Sequence, residues 1–229
     1  MKTLVLLVML IVVSKFYAQG ETEKKSEKIY FSQQVAVSNI NILFEPKHLV
    51  AKDEFMIAEK KYNQLIEQKL EGSYIDDLSF SCLNTSKSSI NEFSNPIILV
   101  TYATWNIPGK GEIQAINSFA AKYKDQIDFI ILFWDNRMNA REAASGINDD
   151  IHIVYVYEKW HKHNNTIRML KHSLGFPKLF SIASDKRILK IKNMKGLPFH
   201  MDLEKAIEIN RKFFNNLISN INDYEIKVN

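Results

Sequence analysis

The sequence predicts an α/β domain in which helices cover both faces of a central mixed β-sheet. Two short runs, residues 97–102 and 127–134, are largely apolar, as expected for central strands that are buried on both sides. Segments with helical periodicity separate the successive strand-like runs. Two final runs, residues 177–183 and 187–192, are joined by the polar turn 184–186 and predict an antiparallel hairpin. Strands that alternate with helices and end in an antiparallel hairpin indicate a mixed sheet.

The remaining elements of the main domain, residues 74–229, follow from the same patterns. Strands alternate with helices along this part of the chain, and neither internal repeats nor low-complexity segments interrupt it. Besides the four runs above, the pattern predicts strands at 78–83 and 151–157, and helices at 111–124, 139–147, 165–173 and 203–217.

The first twenty residues have the pattern of a secretory signal peptide. Lys2 precedes an apolar run at 3–13, and small residues follow at Ala18 and Gly20, either of which is a candidate cleavage site. The run is shorter than the roughly 20 residues that cross a bilayer. We therefore expect export to a bacterial periplasm or cell envelope, or secretion, without stable membrane insertion after cleavage. An uncleaved membrane anchor is the alternative.

An N-terminal extension precedes the main domain. Residues 21–29 are mostly charged and predict a flexible tether. Within 30–73, a loose alternation over 30–44 predicts one or two strands, and 52–70 has the three- and four-residue spacing of an amphipathic helix. Gly72 supplies a stop for that helix. The helix is expected to pack on the main domain, or to dock a partner as part of a structural subunit.

Charge and cysteine content exclude several classes of function. The 30 basic and 26 acidic residues are well mixed along the chain, so no basic patch indicates a nucleic-acid partner. Cys82 is the single cysteine, so the chain forms no intramolecular disulfide. It lies in the alternating run 78–83, which predicts a buried apolar role; a reactive thiol or an intermolecular bridge is the alternative.

Residues 97–110, IILVTYATWNIPGK, carry the most specific motif of the sequence. An apolar strand, the tripeptide ending at Trp105, and a proline three residues later resemble the redox site of thioredoxin-like proteins, most closely the TlpA-like and redoxin (AhpC/TSA-type) branch. That branch has A-T-W-C-x-P-C at this place. Here Asn106 and Gly109 replace the two cysteines, while Trp105 and Pro108 are retained. The resemblance extends over residues 74–217.

A second segment, residues 174–180 (LGFPKLF), resembles the G-x-P segment of the same proteins. The resemblance implies a cis peptide bond before Pro177, a proline that faces the redox turn, and a neighbouring backbone that pairs with an extended peptide. Two interpretations stay open: the fold alone retains this surface, or the surface still binds an extended peptide or small ligand. The candidate groove residues are Trp105, Asn106, Ile107, Pro108, Phe176 and Pro177.

Thiol–disulfide exchange needs an attacking thiolate and a second thiol. Asn106 has no nucleophilic sulfur, although Asn is a favourable N-cap and is expected to begin the following helix. Gly109 offers no resolving thiol, and Val100 stands where thioredoxins carry a strand acid. The sequence therefore predicts no catalytic residue, and argues against an enzyme.

Other candidate chemistry is weak. His161, His163 and His172 are the only candidate metal ligands, but their spacing and the absence of a neighbouring cysteine favour loop residues over a metal site. Asp135 and the acidic pair 149–150 are expected to form turns rather than an acid–base pair. No cofactor motif is present in the sequence.

The sequence thus predicts an exported thioredoxin-like protein without the redox cysteine pair, acting as a binding or accessory module. An extended peptide or another envelope protein is the expected partner. One alternative is a TlpA-like thiol–disulfide oxidoreductase or redoxin that works through Cys82 or an external thiol. The other is a structural subunit that docks through the helix at 52–70.

Overall fold

The computed structural model describes residues 28–38, 52–106, 108–159, 170–171, 174–175, 178–194, 196–198 and 200–228. Within these ranges six strands form one mixed sheet: β1 (Ser81–Cys82), β2 (Ile97–Tyr102), β3 (Asp128–Phe133), β4 (Ile151–Tyr155), β5 (Lys178–Ile182) and β6 (Ile188–Asn193). Five helices accompany it: α1 (Phe31–Ser38), α2 (Lys52–Lys69), α3 (Glu112–Tyr123), α4 (Arg137–Ala143) and α5 (Leu203–Val228).

The sheet has the strand order β1-β4-β3-β2-β5-β6. Strands β2, β3 and β4 are parallel, while β1, β5 and β6 run antiparallel to their neighbours. The prediction of a mixed sheet that ends in an antiparallel hairpin is confirmed. The hairpin turns at Lys186, which adopts a φ of 75°.

Strand β2 lies at the centre because both of its faces are apolar. All six of its residues are buried. Ile97 and Leu99 belong to the core shared with α1 and α2, while Ile98 and Val100 belong to the core shared with α3 and α5. Burying each such side chain contributes on the order of 2 kcal/mol to folding. The two cores together fix the end of β2, and the candidate site lies in the turn that follows this strand.

Residues 31–38 form a helix, and the predicted strand there is wrong. Phe31 and Val35, four residues apart, are buried on one helical face, while Val37 is 74% exposed. The alternation in the sequence therefore does not correspond to burial. The amide and hydroxyl of Ser32 both donate to the Asp76 carboxylate, at 2.9 and 2.6 Å, and tie the helix to the main domain. Residues 39–44 lie outside the described part.

Helix α2 confirms the predicted amphipathic helix. Tyr62, Ile66 and Leu70 are buried against the main domain. The following Gly72 has a φ of 90°, which suits a glycine just after a helix end. The face of α2 that carries Tyr62 and Ile66 is thus covered by the main domain, while Met56 and Ile57 remain exposed.

Several element ends differ from the prediction. Strand β1 has two residues rather than six, because the Phe80 amide donates to the Ser88 carbonyl in its own downstream turn instead of continuing along β4. Helix α4 begins at Arg137, since the Asn136 side chain caps it. Helix α5 continues past residue 217, and Ile221 is buried on its extended face. Among the described helices, none is both long and apolar enough to cross a membrane.

Candidate functional site: the turn after strand β2

The turn after strand β2 connects the sheet to helix α3 through residues 103–111. Ala103 is buried, whereas the Trp105 side chain is 74% exposed. The Asn106 amide donates to the Ala103 carbonyl at 2.8 Å and closes the first part of the turn. Pro108 is half-buried. The turn therefore presents a large indole to solvent on a hydrogen-bonded backbone.

Helix α3 covers Glu112–Tyr123, as predicted to within one residue, but Asn106 is not its N-cap. The N-cap is Gly111, with a φ of 74°, and the first helical residue is Glu112. A Cβ on Gly111 would lie 2.7 Å from the backbone nitrogen of Ile207 in α5, so the close approach of the two helices requires glycine. Asn106, at the position of the missing nucleophile, therefore lies outside the helix and its N-terminal dipole.

A buried carboxyl, Glu112, joins the two ends of the turn. Its side chain is almost fully enclosed, and residue exposure is 2%. The Tyr102 hydroxyl donates to one carboxylate oxygen, and the Gly109 amide donates to the other at 2.9 Å. Burial raises the pKa of Glu112 to about 7, although the bond from Gly109 lowers it in part. One ionisable group thus connects the last residue of β2, the turn and the first residue of α3.

Helix α5 holds the second half of the turn. The Lys110 ammonium donates to the Met201 carbonyl, and the Asn210 side chain donates to the Lys110 carbonyl at 3.1 Å. Asn210 is itself buried. Because both backbone and side chain of Lys110 are bonded to α5 or the segment before it, the turn is held from the helical layer as well as from the sheet.

An open depression of about 330 Å³ lies beside the exposed indole. Thr104 and Trp105 form one wall, and Asn139, Glu142 and Ala143 of α4 form the other. The spacing of three and then one residue places these α4 side chains on a single helical face. The depression therefore combines an aromatic surface, two neutral polar side chains and one carboxylate.

Asp135 orders two of the side chains that line that depression. The Thr104 hydroxyl donates to one of its oxygens, and the side chains of Asn136 and Asn139 donate to the other at 3.1 and 3.0 Å. Burial raises the pKa of Asp135, but the bonds from Thr104, the Asn136 backbone amide and Asn139, together with the charge of Lys171, outweigh it and leave the pKa lowered. Asp135 is therefore an ionised carboxylate that positions Thr104 and Asn139.

Lys178 is a second buried ionisable group near the end of β2. It pairs with Thr101 across the β2–β5 ladder and is 4% exposed. Its ammonium donates to the Asn193 side chain and lies 4.9 Å from the centre of the Tyr62 ring. Burial lowers the pKa of Lys178 to about 8, partly opposed by the charge of Glu59.

Cys82 is remote from the turn and is not activated. It lies on β1, and β4 and β3 separate that strand from β2, so at the usual strand spacing the two strands are about 14 Å apart. The thiol is half-buried and donates to the Lys87 carbonyl. Burial raises the pKa of Cys82, and the charge of Glu92 raises it further. A reactive thiolate needs the opposite shift.

Part of the predicted site falls outside the described residues: Ile107, Phe176, Pro177, His161, His163 and His172. The described residues of the predicted groove are Trp105, Asn106 and Pro108, which share the turn. In the part of the chain that the structure describes, no three His, Cys, Asp or Glu side chains are grouped as metal ligands would be.

The two acidic candidates lie at opposite ends of the sheet. Asp135 follows the end of β3, while residues 149–150 precede β4. Since β3 and β4 are parallel, these positions are separated by the length of a strand. They cannot act as a paired acid and base.

Comparison with solved structures finds thiol–disulfide exchange proteins of bacteria. The thioredoxin domain of a thiol-disulfide oxidoreductase from Bacteroides vulgatus matches with a TM-score of 0.46 and 13% identity, over 62% of this chain and 96% of that one. A thiol:disulfide interchange protein from Bacteroides sp. gives 0.45 and 14%, over 63% and 90%. StoA from Bacillus subtilis gives 0.41 and 16%, over 58% and 95%. No protein-family model and no curated protein matches the chain.

The fold is thioredoxin-like. The sheet order and the succession of elements described above carry this assignment. At the position where the thioredoxin-like redox site has its two cysteines, this chain has Asn106 and Gly109, and Cys82 lies on another strand.

Two buried groups of the site were not predicted from the sequence. Glu112 has the pattern of an ordinary acidic residue in the first turn of a helix, which is usually solvated. Lys178 has the pattern of an ordinary polar residue at the start of a hairpin strand. The one available signal for Glu112 is its place shortly after a proline and two glycines, where the backbone can bring a helix start against a neighbouring element.

Proposed function

We propose that this chain is an exported thioredoxin-like protein that binds an extended peptide segment of a partner and performs no thiol–disulfide exchange. Export rests on the signal pattern of residues 1–20. The observation that carries the proposal is the replacement of the redox pair by a turn that contains no thiol and is closed by Glu112.

The arrangement of the turn favours recognition over chemistry. An exposed indole contributes a large contact area at low conformational cost when it is covered by a ligand. Trp105 lies beside a depression whose polar side chains are positioned by Asp135. A fixed surface loses little conformational entropy on binding, and such preorganisation raises affinity.

The oxidoreductase alternative lacks a supporting observation. Cys82 is separated from the turn by two strands, and its pKa is raised rather than lowered. Docking through α2 cannot use Tyr62 and Ile66, because both are buried against the main domain. Neither alternative therefore accounts for the exposed indole and the ordered depression next to it.

Binding is tested by NMR on protein labelled with ¹⁵N-tryptophan. The chain has three tryptophans, so a Trp105→Phe variant assigns the indole signal of Trp105. A degenerate mixture of blocked, extended pentapeptides is titrated into the protein. We expect a saturable shift of the Trp105 signal, while the signal of buried Trp134 stays in place. A Trp105 signal that does not move at saturating peptide contradicts the proposal.

A further inference from the structure

The depression beside Trp105 has the chemical character of a site for a cation. An indole presents the most favourable aromatic face for a cation within about 6 Å of its centre. Glu142 stands on the opposite wall, exposed at the rim. Among the described residues Glu142 has no ion-pair partner. The Trp105 ring and the Glu142 carboxylate thus line the same depression.

A second carboxylate adds to the negative potential. Asp135 is joined to two of the lining residues, Thr104 and Asn139, through their side-chain hydrogen bonds. Further donors from Asn136 hold it as a carboxylate, so its charge persists at neutral pH. Two negative charges therefore act on a pocket whose lining contains no basic side chain among the described residues.

The described basic residues nearby do not line the depression. Lys171, which interacts with Asp135 through its charge, forms an ion pair with Glu158 at 2.9 Å. Arg137 and Arg141 are exposed on α4 but are not among the residues that line the depression.

We propose that the depression formed by Thr104, Trp105, Asn139, Glu142 and Ala143 binds the side chain of a lysine or arginine in the partner peptide. This inference rests on the proposed function and names its specificity. The ammonium or guanidinium group lies against the Trp105 face and is paired with Glu142, while Thr104 and Asn139 accept or orient its remaining donors. An acidic or apolar side chain at the same position gains neither contact.

The test compares blocked pentapeptides Ser-Ala-X-Ala-Ser, in which X is arginine, lysine, citrulline, norleucine or glutamate. Citrulline and norleucine keep the shape of arginine and lysine without the charge. Titration is followed on the Trp105 indole signal. We expect the charged peptides to bind on the order of threefold to tenfold more tightly than their neutral counterparts, with a preference that weakens at high salt.

Variants locate the effect. Glu142→Gln is expected to remove most of the preference for the charged peptide, while Glu204→Gln, an exposed control in the first turn of α5, leaves it intact. Trp105→Leu is expected to weaken binding of both charged peptides, whereas Ile226→Ala, at another exposed apolar site, does not. The variants without Trp105 are followed by calorimetry.

The outcomes separate this inference from the proposed function. Equal affinity for charged and neutral peptides, or a preference that survives Glu142→Gln, overturns the cation site and leaves peptide binding in place. Tighter binding of the glutamate peptide overturns it as well. If none of the five peptides nor the degenerate mixture moves the Trp105 signal, both proposals fail.

Discussion

Glu112, the first residue of α3, and Lys178, the first residue of β5, are buried on opposite faces of the sheet, and they are held in different ways. Glu112 receives two hydrogen bonds, from the Tyr102 hydroxyl and the Gly109 amide. Lys178 donates to Asn193 and lies over the Tyr62 ring. The first group fixes the turn to α3, while the second fixes the N-terminal helix α2 to the hairpin.

The difference shows which of the two ionisable groups holds the turn that contains Asn106 and Gly109. Burial shifts the pKa of both groups toward the neutral form, to about 7 for Glu112 and about 8 for Lys178. Only Glu112 bonds the backbone of the turn. The conformation of the turn therefore depends on a protonatable carboxyl, whereas Lys178 affects the attachment of the extension. Each side of this comparison can be perturbed separately.

The largest effect is expected where the turn meets α5. Gly111→Ala forces an L side chain into a positive φ and brings its Cβ to 2.7 Å from the Ile207 backbone. We expect a loss of about 3 kcal/mol or more in the free energy of unfolding, since the backbone cannot yield as a side chain can. Urea denaturation measures this.

Gly146→Ala provides the matched control. Gly146 also has a positive φ, of 85°, but a Cβ added there would have no neighbouring atom within 4 Å. The substitution is expected to cost only about 1 kcal/mol, the conformational part alone. Equal losses for the two variants would show that the close contact with α5 has no energetic weight.

Glu112→Gln tests the carboxyl side of the comparison through its pH dependence. The folded pKa, about 7, is higher than the ordinary value of 4.5, so the folded state binds the proton more tightly. Stability from this group is full below about pH 4.5 and is lost as the pH rises toward 7. Relative to Glu112→Gln, the wild type should lose roughly 3 kcal/mol over that interval.

The measurement is the difference between the two urea-denaturation profiles across this pH range, because other carboxyl groups cancel in the difference. NMR titration of a ¹³C-labelled Glu112 carboxyl supplies the pKa directly. Parallel stability profiles for the wild type and the glutamine variant would mean that Glu112 is not held in the neutral form.

Lys178→Met tests the other side and should have a smaller effect in the accessible range. The folded pKa, about 8, is below the ordinary 10.5, so the folded state releases the proton first. Stability of the wild type should therefore rise with pH above about 8, by roughly 2 kcal/mol up to about pH 9.5, relative to the methionine variant. Thermal or urea unfolding at several alkaline pH values measures it. A constant difference between the two proteins argues against a buried, easily deprotonated amine.

The central strands and the hairpin could be predicted because their physical cause is local. Residues 97–102 are apolar on both faces, and the structure has a strand with those bounds. Helix α1 could not be predicted because a loose alternation of valines does not reveal which face is buried. The end of α5 could not be predicted either. Its later residues are buried by contacts with the sheet and α3, which the sequence does not reveal.

For the candidate site, the sequence predicts which residues are present but not how they are buried or hydrogen-bonded. The loss of both cysteines and the presence of Trp105 are visible in the sequence. The burial of Glu112 is not, since it depends on how closely α5 approaches Gly111. Asn106 has the local preference of an N-cap, but the tertiary contact placed the helix start elsewhere.

The most direct test of the central claim is an insulin-reduction assay with dithiothreitol, run on the wild type and on Cys82→Ser beside a thioredoxin with an intact cysteine pair. The account predicts that both proteins leave the rate at the level of dithiothreitol alone, because no activated thiol lies at the turn. Turnover above that level by the wild type, abolished in Cys82→Ser, would contradict it.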